Sequence, residues 1–502
     1  SKARNLIQTR THAYVDESDL DSGGKLEIDA SDTATINAIV QVAGASLAIG
    51  AVSGAVAIGA ATAENQIGTG RDPSASSTLT TASNPASVSL GQTVKVLEGA
   101  DAGSVYRYKG STPLAKPSAA GADWLARVDF ADRSRWEQTN LVRGGNEVHA
   151  YLSNSAAATD GAVTVRATET ATIDARIESL AAAGSLGLIA VAAAGSGVDI
   201  GNEVRTDVRA WIGETATGVR TSLVDAGGTV SVLATDSSTI TASASAVSFA
   251  AAIGLGGAGA ISLSSADNTI DSSVQAYATS AEIRTTGSAS DLVITAHETA
   301  TITSTATASA AAFSALISVS GAGATSTATV STTTRAYADP VELDIGGDVA
   351  IDAIHTGHAT SSTTGATLSV AFIAAGVVKT DASAYVTPTV EARIGGYGGD
   401  RVASADGSIS VGTAQSASAT ATATGGSIAV GLGFSFGALD YSFGTSARPG
   451  PGYFPFGLGI LLAILGALAL FEALTIETAD GEPIGAFAWK PLLIIIGSTV
   501  MF

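Results

Sequence analysis

The chain has 502 residues, of which 14% are charged and 5% aromatic, with 57 Gly, no Cys and a formal charge of −20 from 25 Lys and Arg against 45 Asp and Glu. With 46% hydrophobic residues, such a composition argues against disorder, and the acidic balance argues against a nucleic-acid partner, which needs clustered Lys and Arg. Lack of Cys removes disulfide frameworks and thiolate metal sites, leaving a repetitive β architecture of small residues, a membrane segment, or both.

Ser1 opens the chain without a Met or an apolar leader, and Phe502 closes it inside an apolar run, so it reads as part of a longer product. Residues 1–70 hold the first copy of a repeat. One anchor is apolar-x-apolar-x-Ala followed by Ile: Leu26, Ile28, Ala30 and Ile36. It recurs as Val163, Val165, Ala167 and Ile173, as Val230, Val232, Ala234 and Ile240, and as Leu292, Ile294, Ala296 and Ile302, with weaker copies from Val349 and Ile409. A second anchor is Ala followed by an aromatic: Ala13-Tyr14, Ala150-Tyr151, Ala210-Trp211, Ala276-Tyr277, Ala336-Tyr337 and Ala384-Tyr385. Both imply a unit of roughly 60 residues.

Within a unit the period is two. Thr299, Thr301, Thr303, Thr305 and Thr307 share one face, while Ala300, Ile302, Ala306, Ala308 and Ala310 share the other. That alternation predicts half-buried strands with a thin Ala core, and one unit cannot bury its face alone, so neighbours must stack. The expected fold is mainly β, a stacked β-repeat array, either a β-solenoid or a long meander. The charge-free stretch 42–61 is long enough for a membrane helix, but equivalent stretches turn polar, so buried strands are predicted.

Residues 71–145 break the pattern and hold nine of the 25 basic residues. Two short strands after Gly turns are predicted around 91–96 and 103–108. Tyr106, Tyr108, Trp124 and Trp136 have two readings: stacking platforms for cell-surface glycans or contacts for proteins, or the core that a small β module needs for itself. The repeats resume over 146–437.

Other motifs carry little chemistry. Gly433-Phe434-Ser435-Phe436-Gly437 matches a nucleophile elbow, but the last His, His358, lies upstream. Residues 254–259 match a dinucleotide-binding pattern without a following helix, and read as a turn. Residues 395–403 fit one calcium nonapeptide, a motif that binds between successive copies; a Gly-rich turn is preferred, with calcium near Asp400 the weak alternative. His355 and His358 are three apart on a strand and face opposite ways. No catalytic residue, cofactor or metal ligand is assigned, and no enzyme activity is expected.

From about residue 438 the composition changes. Gly450-Pro451-Gly452-Tyr453-Phe454-Pro455 precedes 16 uncharged residues, 456–471; the run extends to Ile476 and predicts a spanning helix. Trp489-Lys490-Pro491 then opens another apolar segment.

The repeats over 1–70 and 146–437 resemble the Ala/Ser/Thr/Gly-rich arrays of large bacterial surface and secreted proteins of the adhesin kind, which implies a non-catalytic cell-surface array. Residues 438–502 resemble the small membrane subunit of tripartite tricarboxylate transporters, the TctB family, through Asp440-Tyr441, Gly444-Thr445, the Gly-Pro-Gly-aromatic-Phe-Pro turn and Trp-Lys-Pro-Leu. The second resemblance implies an inner-membrane location, a large membrane subunit and a periplasmic binding protein as partners, and carboxylate import. The expected helical part is truncated, and the joint is placed near 433–439. An alternative is that the chain is a membrane component of a carboxylate uptake system to which the repeats are incidental.

Overall fold

The computed structural model describes residues 1–431, except 69, 72–74, 98–104, 118–120, 122–123, 129, 131–134, 140, 143–145, 214–221 and 396–402, together with 441, 444–445, 448–449 and 451. The protein is mainly β, with long parallel strands in large sheets.

Each repeat runs outward, bends sharply and returns. Leu26–Ile49 goes out and Val52–Ile67 comes back; Val163–Gly213 and Val230–Thr279 each contain both legs; Leu292–Ser314 goes out and Ile317–Ala338 returns. Val349–Ala371 goes out and Ile373–Val386 with Thr389–Ile394 returns, and Ile409–Gly431 is a last outward leg. A short strand links successive repeats, as in Ala156–Thr159, Ser222–Ala226 and Ala281–Thr285, and these short strands build a separate six-stranded sheet.

Successive repeats lie on one another in parallel and in register. Leu26, Val163, Val230, Leu292, Val349 and Ile409, the starts of the predicted anchors, form one row. A meander would require antiparallel hairpins, and every strand pairing within the array is parallel. Here a "rung" means one repeat.

The two legs of a rung press face to face. The Ser262 hydroxyl donates to the Ala246 carbonyl oxygen (2.6 Å) and that of Ser264 to Ala244 (3.0 Å), joining opposite legs of one rung. The core between them is graded. Near the base, Val163, Val165, Val208 and Ile212 pack with Val224 of the short strand. The middle mixes Ile173, Ile177 and Ile200 with Ala, and the core cluster at the bend consists of Ala alone, including Ala183, Ala192, Ala252 and Ala258. Narrowing of the gap explains the gradient: a Cβ on Gly44 would lie 2.8 Å from the Ile58 carbonyl oxygen on the facing leg. At the bend Gly254 has φ +139°, and a side chain there would collide with the Gly187 carbonyl oxygen.

Predicted alternation holds: Ala300, Ile302, Ala306 and Ala308 are fully buried. The charge-free stretch 42–61 departs from expectation, because only half of it is inside. Ala55 and Ala57 are buried, whereas Ile49 is 77% exposed and Ile58 74%. Small residues are needed between closely spaced legs, so the bulky aliphatics are left on the outer faces.

The second anchor also departs in its last copy. Ala13, Ala150, Ala210, Ala276 and Ala336 align, but Ala336 pairs with Ala392, while Ala384 pairs with Ala328. Arg393 therefore occupies the aromatic position.

The inserted stretch leaves the first rung part-way along its return leg. Ile67 pairs with Val204, and the chain rejoins at Asn146, which pairs with Thr206. Gly68 makes the exit with φ +88°, and a side chain there would strike the Arg205 carbonyl oxygen. Thr93–Lys95, Val105–Tyr108 and Trp136–Gln138 form an antiparallel sheet in the insertion.

Among the described residues no helix is long and apolar enough to cross a membrane. The helix expected from 456 onward, Asp400, the elbow at 433–437 and the turn motif other than Pro451 lie outside the described residues.

Candidate functional site

Stacking in register turns every sequence position into a row, so chemistry in this protein is arranged as ladders. Four were traced.

The first is amide. Asn5 Nδ2 donates to Asn65 Oδ1, Asn65 to Asn202 and Asn202 to Asn268, each at 2.7 Å, and Asn268 Nδ2 donates to Ser304 Oγ, also at 2.7 Å. Asn65, Asn202 and Asn268 are buried in the Ile/Ala middle of the core. Each carboxamide passes one donor and one acceptor along the array, so buried polarity is satisfied row by row.

The second is acidic. Asp32, Glu169, Asp236 and Glu298 occupy one row, which continues to His355 and Gln415. Glu169, Asp236, Glu298 and His355 are all fully buried or nearly so. Their facing groups are amides and hydroxyls. Asn146 Nδ2 donates to Asp32 Oδ2 (3.0 Å) and Glu169 Oε1 (3.3 Å), Thr206 Oγ1 to Asp236 Oδ2 (3.1 Å), and Thr334 Oγ1 to Glu298 Oε2 (2.9 Å). Among the described residues, one oxygen of each of Glu169, Asp236 and Glu298 has no hydrogen-bond partner, nor has His355 Nε2.

Burial disfavours the charged forms of Glu169, Asp236, Glu298 and His355. It pushes the Glu169 carboxyl up to about 8, helped by the negative charges of Asp32 and Asp236. Burial likewise raises Asp236, with Glu298 beside it, and raises Glu298 itself; it lowers His355. At neutral pH Glu169 and Glu298 hold their protons, and each protonated acid gains a donor for a neighbouring oxygen.

The third ladder is aromatic, on the outer face near the base. Tyr14, Tyr151, Trp211, Tyr277 and Tyr337 stack with ring centroids 4.9, 4.2, 5.7 and 4.8 Å apart and planes within 7° of parallel. The Arg393 guanidinium caps the row 4.7 Å from the Tyr337 ring centre.

Two residues before each aromatic lies the fourth. His12 and His149 pair in register, and their rings stack at 4.7 Å and 12°. Glu147 Oε2 lies 3.6 Å from His12 Nε2, and Asp207 Oδ2 lies 3.7 Å from His149 Nε2. Arg10 Nε donates to Glu147 Oε2 (2.6 Å) and Arg209 Nε to Asp207 Oδ1 (2.8 Å). Burial works against the Glu147 charge, but the contacts from His12 and Arg10 outweigh it and bring the carboxyl to about 2. Among the described residues, His12, Glu147 and His149 are the group of three His and carboxylate donors whose ligand atoms converge, all within 4.8 Å of one another.

The singled-out aromatics of the insertion do something else. Tyr106, Tyr108, Trp124 and Trp136 are buried together with Val94, Leu125 and Phe130. Tyr108 and Phe130 meet Trp136 edge-on at 5.1 and 4.9 Å, and Trp124 Nε1 donates to the Pro85 carbonyl oxygen at 3.1 Å. Among the described residues the four rings are buried in the module's own core. His355 is buried and His358 exposed, on opposite faces as their spacing predicts.

The acid row and the His pair escaped the residue-by-residue reading. Both had signals. Asp32, Glu169, Asp236 and Glu298 each lie two residues after the anchor Ala, hence on its inward face. His-Ala-Tyr appears at both Tyr14 and Tyr151.

The family described as the tripartite tricarboxylate transporter TctB family matches residues 417–502, which is 86 of the 502 residues. The match begins 21 residues before the expected start at 438 and overlaps the last outward leg, Ile409–Gly431. No curated protein and no solved structure matches the chain.

Proposed function

We propose that residues 1–437 are a non-catalytic β-solenoid that acts as a structural or adhesive array at a bacterial cell surface, carried by a membrane segment over 438–502. The observation supporting this reading is the parallel pairing of every leg with the next from the first strand to Gly431, with register shifts confined to the bends. Its acids, amides and aromatics are engaged in ladders that hold rungs together, which is the economy of a repeat array and not of an active site.

A second reading is favoured by the family match at 417–502: this stretch serves an inner-membrane carboxylate uptake system, beside a large membrane subunit and a periplasmic substrate-binding protein. The two readings share one consequence. The uncharged run 456–471 is costly to leave in water and inserts into lipid. On carbonate extraction, the full chain should stay with the membrane pellet and a version ending at Gly431 should be released. Release of both would refute the anchor. Retention of both would move membrane attachment to the apolar outer faces near the bends, where Leu188 is 76% exposed.

A further inference from the structure

We infer that His12, Glu147 and His149 form a binding site for one divalent transition metal of the zinc class. Three observations carry it. The ligand atoms of the three side chains lie within 4.8 Å of one another, and His12 Nε2 and Glu147 Oε2 are already 3.6 Å apart. Both Nε2 atoms are buried, and among the described residues each faces a carboxylate oxygen, at 3.6 and 3.7 Å, beyond hydrogen-bond distance. Two imidazole nitrogens and a carboxylate oxygen are a borderline donor set that suits zinc, which takes such ligands at about 2.0–2.2 Å.

A metal at that distance draws its ligand atoms to roughly 3.4 Å, so the cluster must close by about an ångström at its widest. His149 supplies this by turning out of its stack with His12. Asp207, whose Oδ2 lies 3.7 Å from His149 Nε2, is placed for a fourth position, otherwise filled by water. The next rungs carry Arg209, Gln275 and Arg335 in the His row, so the imidazole ligands are confined to the first two strands of the ladder.

Its place in the fold suggests a role. His149 follows Asn146, where the chain rejoins the ladder after the insertion, and His12 lies on the preceding strand. A metal here would clasp the re-entry point to its neighbour, locking the interrupted rung into register. Because binding to the folded state alone stabilises it, the clasp is readable as a rise in melting temperature.

The test is titration of the full chain with Co2+, followed by displacement with Zn2+. One equivalent of Co2+ should give the visible absorption of a four-coordinate N/O site, Zn2+ should abolish it, and Zn2+ should raise the melting temperature by several degrees. His12→Ala and His149→Ala should each weaken binding about a hundredfold or more, whereas His297→Ala, elsewhere on the array, should leave it unchanged. Should the alanine variants fail to fold, His149→Gln keeps a polar side chain in the stack and must still weaken binding. No spectrum and no thermal shift, or binding unaltered by His149→Gln, would overturn the site and leave the two rings as packing alone.

Discussion

Raising the pH from about 6 to about 9 should destabilise the array by several kcal/mol, and the triple variant Glu169→Gln, Asp236→Asn, Glu298→Gln should remove most of that dependence. The acid row is the cause. Burial raises all three carboxyls above their ordinary range, with Glu169 reaching about 8 from 4.5. Unfolded, the two Glu release their protons near pH 4.5 and Asp236 near 3.8; folded, the Glu keep theirs until about 8 and Asp236 until about 7. The folded state therefore binds more protons throughout that interval. Stability contributed by the row is fully present below the unfolded pKa and is lost as pH rises through the folded one.

At about 1.4 kcal/mol per pH unit, Glu169 alone accounts for a loss of about 3 kcal/mol between pH 6 and its folded value of about 8. His355 has the opposite sign. Burial lowers its pKa from 6.5, so its contribution is present above that value and is lost as pH falls. Three raised carboxyls outweigh one lowered imidazole, so the stability contributed by this row should fall continuously as pH rises from about 4.5 to about 8. The amide variants keep the shape and the facing hydrogen bonds while removing the titration. Urea denaturation at pH 6 and pH 9 reads the difference; equal losses in wild type and triple variant would contradict the assignment.

The second large effect concerns the amide ladder. Asn202→Ala should cost about 3 kcal/mol, because two buried partners lose their bonds at once: Asn65 Nδ2 its acceptor and Asn268 Oδ1 its donor. Both sit among Ile and Ala, where water cannot replace what is lost. Asn5→Ala, at the half-exposed start of the row, should cost less than about 1 kcal/mol. A gradient of cost from the end of the ladder to its middle, measured by chemical denaturation, is the signature expected. Equal small costs at both positions would mean that the amides are bystanders.

The array was legible wherever a local period of two determined which residues face inward. Ala300 and Ile302 point in and Thr301 and Thr303 out, as their alternation requires, and the anchors beginning at Val163, Val230 and Leu292 are register partners. What could not be read locally was the folding back of each rung. Gly187 and Gly254 look like any loop glycines, yet each lets the bend of one rung lie against the bend of the next, while Gly44 lies close to the facing leg at Ile58; Ala lines the inside near the bend and Leu188 and Ile253 lie outside. Ala384-Tyr385 misled for a related reason. The anchor is defined by its distance along the return leg, and on that leg the matching position is Ala392-Arg393. His12 and His149 are 137 residues apart and meet only because the insertion closes on itself between Gly68 and Asn146.

Everything argued for the array rests on rung lying on rung in parallel and in register, and a chain without Cys allows this to be measured by cross-linking. Thr164 and Ser231 are register partners on adjacent rungs. In-register neighbours lie ~4.8 Å apart, within the Cα separation of about 4.4–6.8 Å that a disulfide spans. Leu233, two residues further along, lies ~8 Å from Thr164 and is out of reach. The double variant Thr164→Cys, Ser231→Cys should cross-link rapidly and nearly completely under mild oxidation, and Thr164→Cys, Leu233→Cys should not. Equal cross-linking of both pairs, or preferential linking of the second, would contradict the stacked register and with it the ladders.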